Sequence, residues 1–144
     1  MDDSRMKIIP YEPRHLFELK AQPYQINDEI TPEYAEWIGG FPCYTAVHDG
    51  QVAAIGGLVP IWPGRAVMYL RVADGITHQW ICLFREAKKL IRQGLKDYHR
   101  LEAQSEFPES ERWLQMLGFE FEGVMRKYRV DGQDVKMWSI VRDK

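Results

Sequence analysis

Residues 66–104 read AVMYLRVADGITHQWICLFREAKKLIRQGLKDYHRLEAQ, and this stretch decides the fold. Ala66 to Val72 is an apolar run with the β-branched and aromatic content of a strand. Trp80, Leu83, Phe84, Ala87, Leu90 and Ile91 then recur at three and four residues, which makes one apolar stripe on a helix. Arg85, Glu86, Lys88, Lys89 and Arg92 occupy its other side. Thr77 is the expected N-cap and Gly94 the expected C-terminal cap. Arg100 to Gln104 alternates Leu101 and Ala103 with Glu102 and Gln104, so this second strand has one polar face. A strand, a helix and a strand on this scale demand a parallel pair joined by a right-handed crossover.

Working outward, the upstream segments are shorter. Lys7 to Ile9 reads as a strand stopped by Pro10, and Pro13 opens a helix through about Ala21. Thr31-Pro32-Glu33-Tyr34 starts a second helix, with Thr31 as N-cap, which runs to Ile38 and stops at Gly39-Gly40. Tyr44–Val47 and Val52–Ile55 flank His48-Asp49-Gly50-Gln51, and Asp-Gly between apolar runs is a hairpin signal. The second of these strands can continue to Val59, before the break at Trp62-Pro63-Gly64. Downstream, Ser110 to Leu117 is a short helix closed by Gly118. Phe119 to Val130 and Gln133 to Val141 then read as two long strands around Asp131-Gly132. The order is β-α-α-β-β-β-α-β-α-β-β. The predicted class is α/β with a mixed sheet, in one domain over residues 1–144.

Composition narrows the function classes. The chain has 144 residues, 45% of them hydrophobic and 28% charged, as expected of a globular domain with a real core. Nineteen Lys and Arg against twenty-one Asp and Glu give a net charge of −2, which excludes general nucleic-acid binding by bulk charge. The basic run Lys88, Lys89, Arg92, Lys96, His99 and Arg100 reads as the solvated side of a helix and its exit. Cys43 and Cys82 lack metal or CxxC spacing, and two lone thiols fit a reducing cytoplasm. No stretch approaches the ~18 apolar residues of a membrane span, and Met1 to Pro10 does not read as a signal peptide. A soluble cytoplasmic protein is expected.

The element order, together with Trp113-Leu114-Gln115-Met116-Leu117-Gly118-Phe119-Glu120-Phe121-Glu122-Gly123-Val124, resembles the GNAT (Gcn5-related N-acetyltransferase) superfamily. The segment is similar to that family's aromatic-x-x-x-LGF-x-x-x-G helix-to-strand passage. Arg126-Lys127-Tyr128, Asp131-Gly132, Asp134-Val135 and Met137-Trp138 look like its closing hairpin. Within the superfamily, the chain resembles the short, divergent, bacteriophage-encoded type. The resemblance implies a splayed central parallel strand pair, with acetyl-CoA entering the gap and its pyrophosphate resting on the N-terminus of the following helix.

The resemblance also implies roles for particular residues. Backbone at Leu70, Arg71 and Val72 would hold the thioester carbonyl. Gly75, Ile76, Thr77 and His78 would cradle the pyrophosphate. The family's Q/R-x-x-G-x-G/A turn is here Val72-Ala73-Asp74-Gly75-Ile76-Thr77, which keeps one glycine, replaces the other with Thr77, and adds Asp74. Glu102 falls where some members carry a strand-borne general base; read from its own strand, it is equally a sheet-face carboxylate paired with a Lys or Arg. The family's general-acid Tyr position is Leu114. Tyr128 is a substitute from the hairpin, or a residue packed on the sheet. Trp37 and Trp62 line the acceptor side or pack locally. The implied activity is acetyl-CoA-dependent transfer of an acyl group to an amine on a protein or small molecule, by a monomer or homodimer. The alternative is a catalytically weak or inert GNAT-fold protein that docks on a host or phage protein. No metal is expected.

Overall fold

The computed structural model describes residues 6–20, 30–75, 80–105 and 108–142. Their elements are β1 (Lys7–Pro10), α1 (Pro13–Glu18), α2 (Pro32–Ile38), β2 (Cys43–His48), β3 (Gln51–Trp62), β4 (Arg65–Val72), α3 (Trp80–Asp97), β5 (Arg100–Ser105), α4 (Pro108–Leu117), β6 (Glu120–Met125) and β7 (Val135–Val141). This is the predicted order. The seven strands form one mixed sheet in the order β1-β2-β3-β4-β5-β7-β6. β4 and β5 are parallel; β1/β2, β2/β3, β5/β7 and β6/β7 are antiparallel. No described helix is long and apolar enough to cross a membrane. The chain divides into two compact units, Met1–Val59 with Leu70–Ala87, and Pro60–Tyr69 with Lys88–Lys144.

In the first unit, local chemistry sets the elements as the residues suggest. Thr31 Oγ1 accepts from the Tyr34 N–H at 3.1 Å, and Pro32 stands in the first turn of α2. Asp49 and Gly50 both take positive φ, 52° and 74°, so the β2–β3 turn has the primed conformation that suits strand twist. α1 stops at Glu18, short of the expected Ala21, because Leu19 turns extended. β3 begins in this unit and runs past its boundary at Val59 to Trp62. Leu16, Ile38, Ile55 and Leu58 are fully buried. His15 is buried with them, where its Nδ1 accepts the Glu12 N–H at 3.0 Å and lies 2.8 Å from Thr45 Oγ1.

In the second unit, two expectations need correction. Gly94 does not cap α3, which runs on to Asp97. Gly94 is buried within the helix, and its carbonyl accepts the Tyr98 N–H at 2.8 Å. The C-terminal carbonyls of Leu95 and Lys96 instead receive the Arg142 guanidinium, a cation where the helix dipole favours one. The closing strands are also shorter than the sequence suggests. They end at Met125 and begin again at Val135. A primed two-residue turn needs positive φ at its first residue, and here Gly132 has it but Asp131 does not. The Asp131 carboxylate accepts the Gln133 N–H at 3.1 Å, and the Gln133 carbonyl accepts from Tyr128 and Arg129, so Asp131-Gly132 closes a loop.

Gly118 ends α4 as predicted. It has φ 103°, its N–H donates to Gln115, and the Phe119 N–H donates to Leu114, both at 3.0 Å. That is the Schellman pattern, and the buried pair Leu114 and Phe119 occupies its usual apolar contact positions. The LGF tripeptide is therefore a helix stop welded to a strand start.

Candidate functional site

Two segments carry the residues expected to do chemistry, one in each unit. In the first unit, β4 ends at Val72, which is buried, after Leu70 and Arg71, which are half-buried. The Arg71 guanidinium stands 5.9 Å from the centroid of the Tyr34 ring. The next two N–H groups are already committed. Ala73 donates to the Ala53 carbonyl at 2.8 Å, and Asp74 donates to the Lys20 carbonyl at 2.7 Å. Neither can turn to a ligand without breaking these bonds. Gly75 differs: it has φ 88°, it is exposed, and no atom stands within 4 Å of where a Cβ would be. A ligand could approach its backbone closely. Ile76, Thr77 and His78 lie outside the described residues.

In the second unit, Glu102 projects from β5 and is 3% exposed. It does not stand alone. Arg65 Nε donates to its Oε2 at 2.6 Å and Arg65 Nη2 to its Oε1 at 2.9 Å, a two-pronged pair. Arg100 Nε donates to the same Oε2, also at 2.6 Å. Burial works to raise the Glu102 pKa, but hydrogen bonds and charge from Arg65 and Arg100 outweigh it and hold the carboxyl below its ordinary value. Arg100 turns its other edge to Glu122, with bonds of 2.6 and 2.9 Å, and Ser139 donates to the same carboxylate. The Arg100 and Ser139 bonds bring the Glu122 pKa down to about 2. Arg65, Glu102, Arg100, Glu122 and Ser139 thus form one chain of charge across β4, β5, β7 and β6.

Register explains the chain. Arg65 pairs with Arg100 and Val67 with Glu102 in the parallel ladder, while Ser139 pairs with Glu102 in the antiparallel one. Residues two apart on β5 share a face, so Arg100 and Glu102 must meet. That signal was present in Arg100-Leu101-Glu102. The contribution of Arg65 was not, because the parallel register sets it.

Leu114, where the resemblance would place a general acid, is 6% exposed and fixed in the α4 stop. Tyr128, offered as its substitute, is 51% exposed. Trp138 is buried, its Nε1 donates to Ser105 Oγ at 2.8 Å, and Phe121 meets it edge-on at 5.2 Å. Trp37 is largely exposed, with Phe41 edge-on at 5.4 Å. Cys43 is buried and Cys82 half-buried.

No family model and no curated protein matches the chain. Solved structures do. It is similar to a candidate phosphinothricin N-acetyltransferase at 21% identity and a TM-score of 0.76, over 97% of this chain and 100% of that one. An acetyltransferase of the GNAT family from Streptococcus pneumoniae aligns at 15% identity and a TM-score of 0.71, over 96% and 99% of the two chains. A candidate acetyltransferase from Salmonella typhimurium, solved with its cofactor acetyl-CoA, aligns at 13% identity and 0.68, over 96% and 95%. The chain has the fold of the GNAT-family acetyltransferases.

Proposed function

We propose that the protein belongs to the GNAT superfamily and is an acyl-CoA-dependent N-acyltransferase. The observation that carries this reading is the extent of the fold match, which leaves almost no residue of either chain outside it. Gly75 supports it locally, since its positive φ and open Cβ position fit a backbone that meets a phosphate. Acyl-CoA, when bound, supplies an acyl group already activated as a thioester. Gly75 with Ile76, Thr77 and His78 would hold its pyrophosphate, and backbone at Leu70 to Val72 the carbonyl oxygen.

Glu102 takes a different part from the general base that the resemblance implies. A base works best with a pKa near the working pH. The two arginines move Glu102 away from that range. This reading therefore leaves the amine proton to solvent and gives Glu102 the task of holding Arg65 and Arg100 in place.

Titration calorimetry with acetyl-CoA is the test. Saturable binding that weakens by at least about tenfold in Gly75→Val is expected, since a side chain would fill the approach and strain the positive φ. Absence of heat at millimolar acetyl-CoA overturns the reading. A second reading then takes over, a GNAT-fold protein that acts by docking on another protein. The committed N–H groups of Ala73 and Asp74 and the buried Leu114 favour it.

A further inference from the structure

Trp62 is 59% exposed, yet everything beneath it is fixed. Its ring lies over the Arg65 guanidinium, 4.4 Å from carbon to centroid. Arg65 is in turn pinned on the buried Glu102 carboxylate through two hydrogen bonds. The turn that carries both residues is fixed as well. The Gly64 carbonyl accepts the N–H groups of His99 and Arg100, each at 3.0 Å, and the His99 ring fills the space where a Gly64 Cβ would stand. An exposed indole usually gains little from being held still. Rigid, exposed Trp and Arg are the residue types that anchor ligands, because their ordering cost is already met.

The chemistry of the ligand follows from what the pair leaves open. One face of the indole is covered by a cation, and with more than half of the residue exposed the ring can still stack on a ligand. Arg65 uses Nε and Nη2 on Glu102, and Nη1 lies outside that two-pronged pair. A guanidinium edge beside an aromatic face suits a flat ring that carries a carboxylate at its side.

We propose that Trp62 and Arg65 form a recognition site for a planar aromatic group bearing a carboxylate, either a free aromatic acid or the C-terminal aromatic residue of a peptide. The site stands whether or not the protein transfers acyl groups.

Indole fluorescence tests it with four probes: N-acetyl-L-phenylalanine, its amide, sodium acetate, and the peptide Gly-Gly-Phe. N-acetyl-L-phenylalanine should change the emission saturably, with a dissociation constant on the order of 1 mM. The amide and acetate should bind at least about tenfold more weakly, since each lacks one of the two contacts. An equal response to Gly-Gly-Phe assigns the site to chain termini, and its loss assigns it to small acids. Trp62→Leu should abolish the response and Trp37→Leu should preserve it. The Trp62 indole N–H resonance in the wild-type protein, followed by NMR through the same titrations, gives a readout that needs no variant. The proposal is overturned if the amide binds as well as the acid, if Trp62→Leu still responds, or if no probe moves the Trp62 resonance.

Discussion

Arg65 and Glu102 meet side-on, Nε to Oε2 at 2.6 Å and Nη2 to Oε1 at 2.9 Å, with the carboxylate buried and the guanidinium about a quarter exposed. This geometry makes Glu102 a structural hub first. Substituting one partner of a buried pair leaves the others uncompensated, at about 3–5 kcal/mol when burial is complete. Arg65 and Arg100 keep some contact with water. Glu102→Gln should therefore lower stability by about 2–3 kcal/mol, at or just below the bottom of that range. For a chain of this size that is roughly 5–10 °C in Tm by calorimetry. An unchanged Tm would show that the two arginines do not depend on this carboxylate.

The same variant separates a hub from a base. A positioned general base contributes roughly 10²–10⁴-fold to turnover. If Glu102 only holds the arginines, Glu102→Gln assayed well below its Tm should lose no more than about tenfold, with the wild-type pH profile intact. A loss of 10²-fold or more, together with disappearance of the acidic limb of kcat/KM against pH, would return the role of base to Glu102.

Acid stability should report Glu122. Its folded pKa of about 2 lies below the ordinary 4.5, so the folded state binds fewer protons than the unfolded one between these values. The stabilisation is present above pH 4.5 and fades as pH falls toward 2. Tm should drop across that window. In Glu122→Gln the drop should be shallower, although Glu102, also held below its ordinary value, keeps part of it.

The limits of the sequence follow from which forces are local. Thr31-Pro32, Asp49-Gly50 and Leu117-Gly118-Phe119 act within a few residues, and the structure contains the cap, the primed turn and the helix stop that they imply. Asp131-Gly132 looks identical to Asp49-Gly50 on the page. It differs because β6 stops at Met125 and the chain turns through Lys127, whose positive φ has no sequence signature of its own. The candidate site was legible as a list of residues, not as an arrangement. That Glu102 is clamped depends on parallel register, and that the Ala73 and Asp74 N–H groups are consumed depends on Ala53 and Lys20, some twenty or more and fifty or more residues away in the chain.

The turn below Trp62 offers the sharpest test of packing. Gly64 has φ 92°, and a Cβ there would stand 2.1 Å from His99 Cε1 and 2.6 Å from Nδ1. Gly118 has φ 103°, but its nearest neighbour would be Ile140 Cδ1 at 3.9 Å. The two glycines share the backbone demand and differ in space. Gly118→Ala should therefore cost the left-handed strain alone, about 1–2 kcal/mol. Gly64→Ala should cost that and a clash with an imidazole ring, about 3 kcal/mol or more in total. Removing the ring should relieve the second part. The double variant Gly64→Ala, His99→Ala should then recover at least about 1 kcal/mol beyond the sum of the single changes in a denaturation cycle. Strict additivity would mean that His99 swings away freely, and the rigid footing beneath Trp62 would have to be sought in the Arg65–Glu102 pair alone.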